Sequence, residues 1–277
     1  MKHSAPPLPH VSPQVNLIDT HCHLDMEAYQ PDLETVLSSA ADHGVSRIVT
    51  IGIDVNSSRQ AVALATRYPT VFATVGIHPH DAQQATPAHL RQLAELAQSS
   101  VVVGYGEIGL DYVKNYAPRD VQIKAFRDQL HLARDLNLPV VIHDREAHED
   151  VLDILRAAGP LPCGGVMHCF SGDRRLAEAM TDLGFFISIP GVATFHNAHH
   201  LHDVIRAVDP TRLLLETDGP FLAPVPYRGK RNEPKLILYT AQKVAELKQL
   251  SLDEVARATT ANAERLFHLP ESHHDCH

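Results

Sequence analysis

Eight short runs rich in Val, Ile and Leu alternate with amphipathic segments along 277 residues, and this pattern predicts an α/β chain folded as a single (β/α)8 TIM barrel. A second observation agrees with it: His, Glu or Asp stands at the end of several runs, which is where such a barrel displays its chemistry. The runs fall at 15–19, 47–51, 71–77, 101–107, 139–143, 165–168, 185–189 and 212–216. Their near-continuous apolar character suits parallel strands covered on both faces. Between them the period becomes helical. Leu33, Val36, Leu37 and Ala40 share one stripe, as do Phe126, Leu130, Ala133 and Leu136. Residues 234–266 read as closing helices packed on the outside.

One barrel of about 250 residues uses this length without a second domain. The expected division is a flexible extension over 1–14, interrupted by four prolines, a barrel over 15–269 and a disordered tail over 270–277. No apolar stretch approaches the roughly 20 residues of a membrane span, and the first residues hold no apolar core of a secretory signal. A soluble, cytoplasmic chain with no membrane partner is expected. Cys22, Cys163, Cys169 and Cys276 form no CxxC pair and are expected to be free thiols. A net charge of −9 argues against a protein that coats nucleic acid nonspecifically. It leaves room for a nuclease, whose bound cations supply a local positive field.

Residues two apart on a strand share a face, so His21 and His23 of IDTHCHLD can point into one site while Cys22 points away. Alone, this pair reads equally well as two hydrogen-bonded histidines, and a Cys22 thiolate ligand is an alternative. Glu107 in GEIGLD, with Gly106 and Gly109 nearby, reads alone as a structural ion pair. His143 in VVIHDREA and His168 in GVMHCFSG read alone as core histidines, and Asp218 before Gly219 and Pro220 as a turn residue. Presented together at one end of five strands, they point to a metal site instead. Four imidazoles and two carboxylates are enough for two divalent cations with one carboxylate bridging. That donor set suits Zn or Mn, or Mg where phosphate oxygens complete the shell.

The ordered motifs IDTHCHLD, VGIHPHDA, GEIGLDY, HCFSG, ETDGPFLAP, PYRGKRNEP and TTANAERLF, from Leu17 to Phe267, resemble the TatD family of metal-dependent hydrolases within the amidohydrolase-like barrel group. The resemblance implies that His21, His23, Glu107 and Asp218 hold one ion, and Glu107, His143 and His168 the other. It also implies a deoxyribonuclease with DNA as substrate, including removal of nucleotides from a 3′ end. Gly219 stands where the family often has Ser, and Val113 where it often has a second Tyr. No Ser, His and Asp arrangement is evident, so attack by a metal-activated water is expected. Asp218 would orient the water and take its proton, and Glu107 would set the spacing of the ions. His78, Arg145 and Arg228 are the candidate substrate contacts. His80 could add an acid or a hydrogen bond, while Lys230 and Arg231 read equally as a solvated basic loop. An amidohydrolase, an aminoacyl-tRNA ester hydrolase and a noncatalytic metal-binding barrel are the other readings of the same ligands.

Overall fold

The computed structural model describes residues 7–270. Eight parallel strands pair in sequence order: β1 (Leu17–Cys22), β2 (Val45–Ile51), β3 (Val71–Val75), β4 (Val102–Asp111), β5 (Val140–Arg145), β6 (Gly165–Met167), β7 (Phe186–Ile189) and β8 (Leu213–Leu215). The helices are α1 (Leu33–Asp42), α2 (Val55–Arg67), α3 (Pro87–Leu96), α4 (Arg119–Asp135), α5 (His148–Ala158), α6 (Arg174–Asp182), α7 (His199–Ala207), α8 (Ile237–Lys248) and α9 (Leu252–Phe267). Local chemistry explains several helix starts. Asp54, Thr86 and Asp173 each accept a backbone N–H in the first turn of α2, α3 and α6, and Ser251 with Glu254 forms a capping box on α9. The alternation expected from the sequence is the observed one.

Strand ends differ from expectation in ways that matter for the site. β4 was expected to stop at Glu107 but continues to Asp111, because Gly109, Leu110 and Asp111 keep pairing with His143, Asp144 and Arg145 of β5. Glu107 therefore projects from within a strand. β1 runs on to Cys22, with a register irregularity against β2 between Asp19 and Cys22. Ile18 joins the apolar cluster that lines the barrel, whereas Cys22 joins the cluster under the helices. Strict alternation would put both on one face. The irregularity changes the parity and leaves His21 and His23 facing inward.

The first and last strands meet through a seam built mainly from the residues after β8. The His23 N–H donates to Gly219 O at 2.7 Å and the Asp218 N–H to His21 O at 2.9 Å. Beneath these, Thr20 Oγ1 donates to Leu215 O at 2.9 Å, and buried Asp19 accepts from Thr217 N at 2.9 Å and Thr217 Oγ1 at 2.5 Å.

The closing helices do more than pack on the outside. Ala263, Leu266 and Phe267 at the end of α9, with Leu269, join Ile18, Val103, Val141 and Leu214 in the cluster that lines the barrel. A Cβ at Gly104 would stand 3.3 Å from the Phe267 ring, so the missing side chain makes room for it. α9 thus floors the amino-terminal end of the barrel. Part of the N-terminal extension is anchored as well: Leu8 and Val11 pack on the core, and the Ser12 N–H donates to Asp253 Oδ1 at 3.0 Å. The first six residues and the tail beyond Pro270 lie outside the described residues.

The Phe267 side chain is 1% exposed, so Phe267→Ala should cost about 3–5 kcal/mol of unfolding free energy through lost burial and an unfilled floor. Leu183→Ala, at a side chain 39% exposed, should stay within about 1 kcal/mol. Urea denaturation of the two variants separates these outcomes, and equal midpoints would remove the structural role given to Phe267.

Candidate metal centre

The six sequence-derived ligands converge at the carboxyl end of the barrel, with buried Glu107 at their centre. Its two oxygens face different neighbours. Oε2 lies 3.4 Å from His21 Nε2 and 4.0 Å from His23 Nε2. Those two nitrogens are 3.3 Å apart, and Asp218 Oδ1 is 3.8 Å from the first and 3.3 Å from the second. Oε1 lies 2.6 Å from His143 Nδ1, 3.3 Å from His168 Nε2 and 3.5 Å from His78 Nε2. The carboxylate therefore separates two lobes, one with His21, His23 and Asp218, the other with His143, His168 and His78.

Two atoms bound to one ion at about 2.1 Å stand roughly 3.0–3.4 Å apart for octahedral or tetrahedral angles. Three of the five spacings in the lobe around Oε2, at 3.3–3.4 Å, match this, the other two are wider at 3.8 and 4.0 Å, and all are too long for strong hydrogen bonds. Imidazole nitrogens and carboxylate oxygens are also the donors that borderline divalent cations prefer. The residues fit a metal centre. A cleft of about 660 Å³ opens over both lobes and is lined in addition by His80, Lys114, Arg145 and Phe221.

Burial opposes charge on every group here, and the neighbours decide which groups carry it. Glu107 is pulled well below the usual carboxylate range, since the charge of His168 and a hydrogen bond from His143 outweigh its burial. Asp218 is lowered too, burial being overcome by His23 and the charges around it. His21 and His168 stack with ring centroids 3.6 Å apart, so one proton between them is favoured over two. Burial and the His168 charge lower His21, while Glu216 and Glu107 raise His168 despite its burial. His78 is pushed down to about 4 by burial and by the His143 charge, and is neutral near pH 7.

A layer of carboxylates behind the ligands escaped the sequence reading. Glu216 Oε1 lies 3.1 Å from His168 Nδ1 and accepts the Cys169 N–H at 2.7 Å. Asp111 Oδ2 lies 2.8 Å from His80 Nε2 and 3.3 Å from His143 Nε2, and Asp111 Oδ1 accepts the N–H groups of Val113 and Lys114. Such partners fix the ring orientation and tautomer of a ligating histidine. The available signal was a second acid in each ligand motif, Glu216 two residues before Asp218 and Asp111 four after Glu107.

Of the expected substrate contacts, His78 lies in the second lobe and Arg145 lines the cleft. Arg228 does not line it: the side chain is exposed, with the guanidinium 4.5 Å from the centroid of the Phe195 ring. Arg231 is structural, since it grips Asp32 through two bonds of 2.8 Å and Glu233 at 2.9 Å. Lys230 is exposed.

Carboxylates and imidazoles buried this closely call for cations, and cations at a barrel mouth are how many hydrolases of this fold activate water. The protein is a metal-dependent hydrolase of the barrel class. The chain belongs to the TatD related DNase family, whose profile matches residues 18–268. It is 43% identical over 253 residues to the uncharacterized metal-dependent hydrolase YabD of Bacillus subtilis, covering 91% of this chain and 99% of that one. It is 36% identical over 259 residues to the 3′-5′ ssDNA/RNA exonuclease TatD of Erwinia tasmaniensis, covering 91% and 100%. The crystal structure of YJJV, a TatD homolog from Escherichia coli, superposes with a TM-score of 0.87 at 33% identity, covering 92% and 98%. No described helix is long and apolar enough to cross a membrane.

Glu107→Gln should weaken metal at both lobes, because an amide offers one neutral oxygen where the carboxylate offers two charged ones, whereas His168→Ala should weaken chiefly the second lobe. Metal content of the purified variants by elemental analysis reads the difference. Unaltered content in Glu107→Gln would exclude the shared role.

Proposed function

We propose that this hydrolase is a nuclease that cleaves DNA phosphodiester bonds, including from a 3′ end, with two divalent ions held on either side of Glu107. The observation that carries the reading is the division of Glu107 Oε2 and Oε1 between two sets of imidazoles at the floor of one cleft. The family description and the exonuclease name of the Erwinia relative support a nucleic-acid substrate. His21, His23, Glu107 and Asp218 would hold one ion, and Glu107, His143 and His168 the other; Zn, Mn and Mg all remain compatible with these donors. Bound together, the ions would acidify a water and offset the charge that gathers on the phosphoryl oxygens.

The protein's own groups supply the rest. Asp218 is held ionised and close to His23, so its carboxylate can orient the attacking water and accept its proton. Its backbone is fixed on both sides, by the bond to His21 O and by the Phe221 N–H donating to Asp218 O at 2.9 Å. Neutral His78, beside Glu107 and His143, can offer or accept a hydrogen bond without adding charge. Arg145, exposed in the cleft, is placed to attract a phosphate, whereas the position of Arg228 outside the cleft leaves it at most a contact with a longer strand.

Chelation should abolish hydrolysis of a 3′-labelled oligonucleotide, and divalent metal should restore it. Asp218→Asn, compared at matched metal content, should lower kcat by at least about 100-fold while changing KM much less, as expected of a group needed chiefly in the transition state. Near-normal kcat in the loaded variant would exclude Asp218 as the base. Hydrolysis of amide or aminoacyl ester substrates with no cleavage of DNA would favour the other hydrolase readings.

A further inference from the structure

Among the described residues, the large apolar side chains exposed to solvent are Val113, Tyr116, Leu183, Phe221 and Val225. Leu183 follows α6 and lies at the amino-terminal end of the barrel. The other four sit on the loops after β4 and β8, around the mouth. Four of the five exposed large apolar side chains therefore belong to the two loops that border the cleft.

Two of these side chains are aromatic, Phe221 beside the first lobe and Tyr116 beside His80, which adjoins the second. Phe221, 49% exposed, lines the cleft with its ring centroid 6.1 Å from that of His23. Tyr116, 63% exposed, meets His80 edge-on at 4.8 Å, and His80 in turn lies 4.2 Å from His78. The Phe221 backbone and the His80 ring beside Tyr116 are both held by hydrogen bonds. Phe221 O accepts from Asn232 Nδ2 at 2.7 Å, and His80, against which Tyr116 rests, is tied to buried Asp111 at 2.8 Å. Lys114 and Arg145 line the same cleft and complement a phosphate backbone.

We propose that Phe221 and Tyr116 are stacking platforms for two unpaired bases, one on each side of the phosphate to be cleaved, so that the cleft selects single-stranded ends. This rests on the nuclease reading above. The occupant follows from the combination: cations to follow a backbone and separated aromatic faces to hold flat rings are what a single strand requires. At a blunt duplex end only the outer face of the last pair is uncovered, and pairing holds both terminal bases in place, so two separated rings find free faces together only on a strand whose terminal bases are unpaired.

The test uses the metal-loaded protein and single-stranded oligonucleotides carrying 2-aminopurine, whose fluorescence falls on stacking, at the terminal positions. Rapid mixing reads the quench before turnover, and steady-state kinetics follow. The wild type should quench the probe and prefer single strands to a blunt duplex. Phe221→Ala and Tyr116→Ala should each reduce the quench and raise KM about tenfold, with the loss residing in KM more than in kcat. On an oligonucleotide with abasic terminal sugars, wild type and variants should converge, and Phe221→Trp should restore quench and KM. An equal penalty on the abasic strand, or no preference over the duplex, overturns the platforms. Altered sedimentation with unmoved oligonucleotide kinetics assigns the rings to protein contact and overturns them too. Cleavage without a quench removes the platforms alone, whereas a quench without cleavage keeps them and removes the nuclease reading.

Discussion

Closing the sheet between its first and last strands is the constraint on which the rest of the molecule depends. β8 contributes only three residues, so the seam relies on the segment that follows, through Thr217, Asp218 and Gly219. The bonds that close the barrel also set His21 and His23 beside Asp218. A slip of one residue would turn the inward set outward. Asp19 works against such a slip at a cost: burial pushes its carboxyl up to about 7 despite the bonds from Thr217. Hydrogen bonds to a buried carboxylate contribute roughly 1.5–3 kcal/mol each, and more is lost when the acceptor is left without them. Fold closure and site assembly are therefore one event.

The same economy runs through the centre itself. Buried ionisable groups are tolerated only where partners offset their desolvation. Here the offset is layered: Glu107 and Asp218 face imidazoles, while Glu216 and Asp111 stand behind His168, His143 and His80. The outer acids lie against the nitrogens of His168 and His143 that face away from Glu107. The inner acids then meet a prearranged set of nitrogens. Cation binding would convert this crowded polarity into folding free energy, as in other metal-coupled proteins.

The barrel and its six inward groups were legible because both depend on local pattern. Apolar runs alternating with helical stripes mark βα units, and His21 and Asp218 fall near the ends of β1 and β8, while Glu107 and His143 stand within β4 and β5 and face the same mouth. The supporting layer was hidden for a physical reason. Glu216 reaches His168, and Asp111 reaches His80, across gaps that only the curvature of the closed sheet brings together. The extra length of β4 was hidden too, since glycines around Glu107 look like a turn when their pairing with β5 is unknown. The separate fates of Arg228 and Arg231 depend on Phe195 and Asp32, distant residues that no spacing rule connects. Periodicity identified α8 and α9 as helices but not the inward docking of the end of α9.

That docking bears on how the protein is made. The floor of the barrel is supplied by Phe267 and its neighbours, which follow all eight strands in the sequence. While a ribosome is still adding α9, all eight strands have been synthesised, yet their lining lacks its lowest layer and remains open to water. The seam adds a second long-range requirement, because β1 must wait for residues near 218. The lining can therefore be completed only once Ala263, Leu266 and Phe267 are present, however much of the sheet has paired before then. A chain that stopped before Ala263 would leave the lining of the barrel uncapped at its amino-terminal end rather than yield a slightly shortened enzyme.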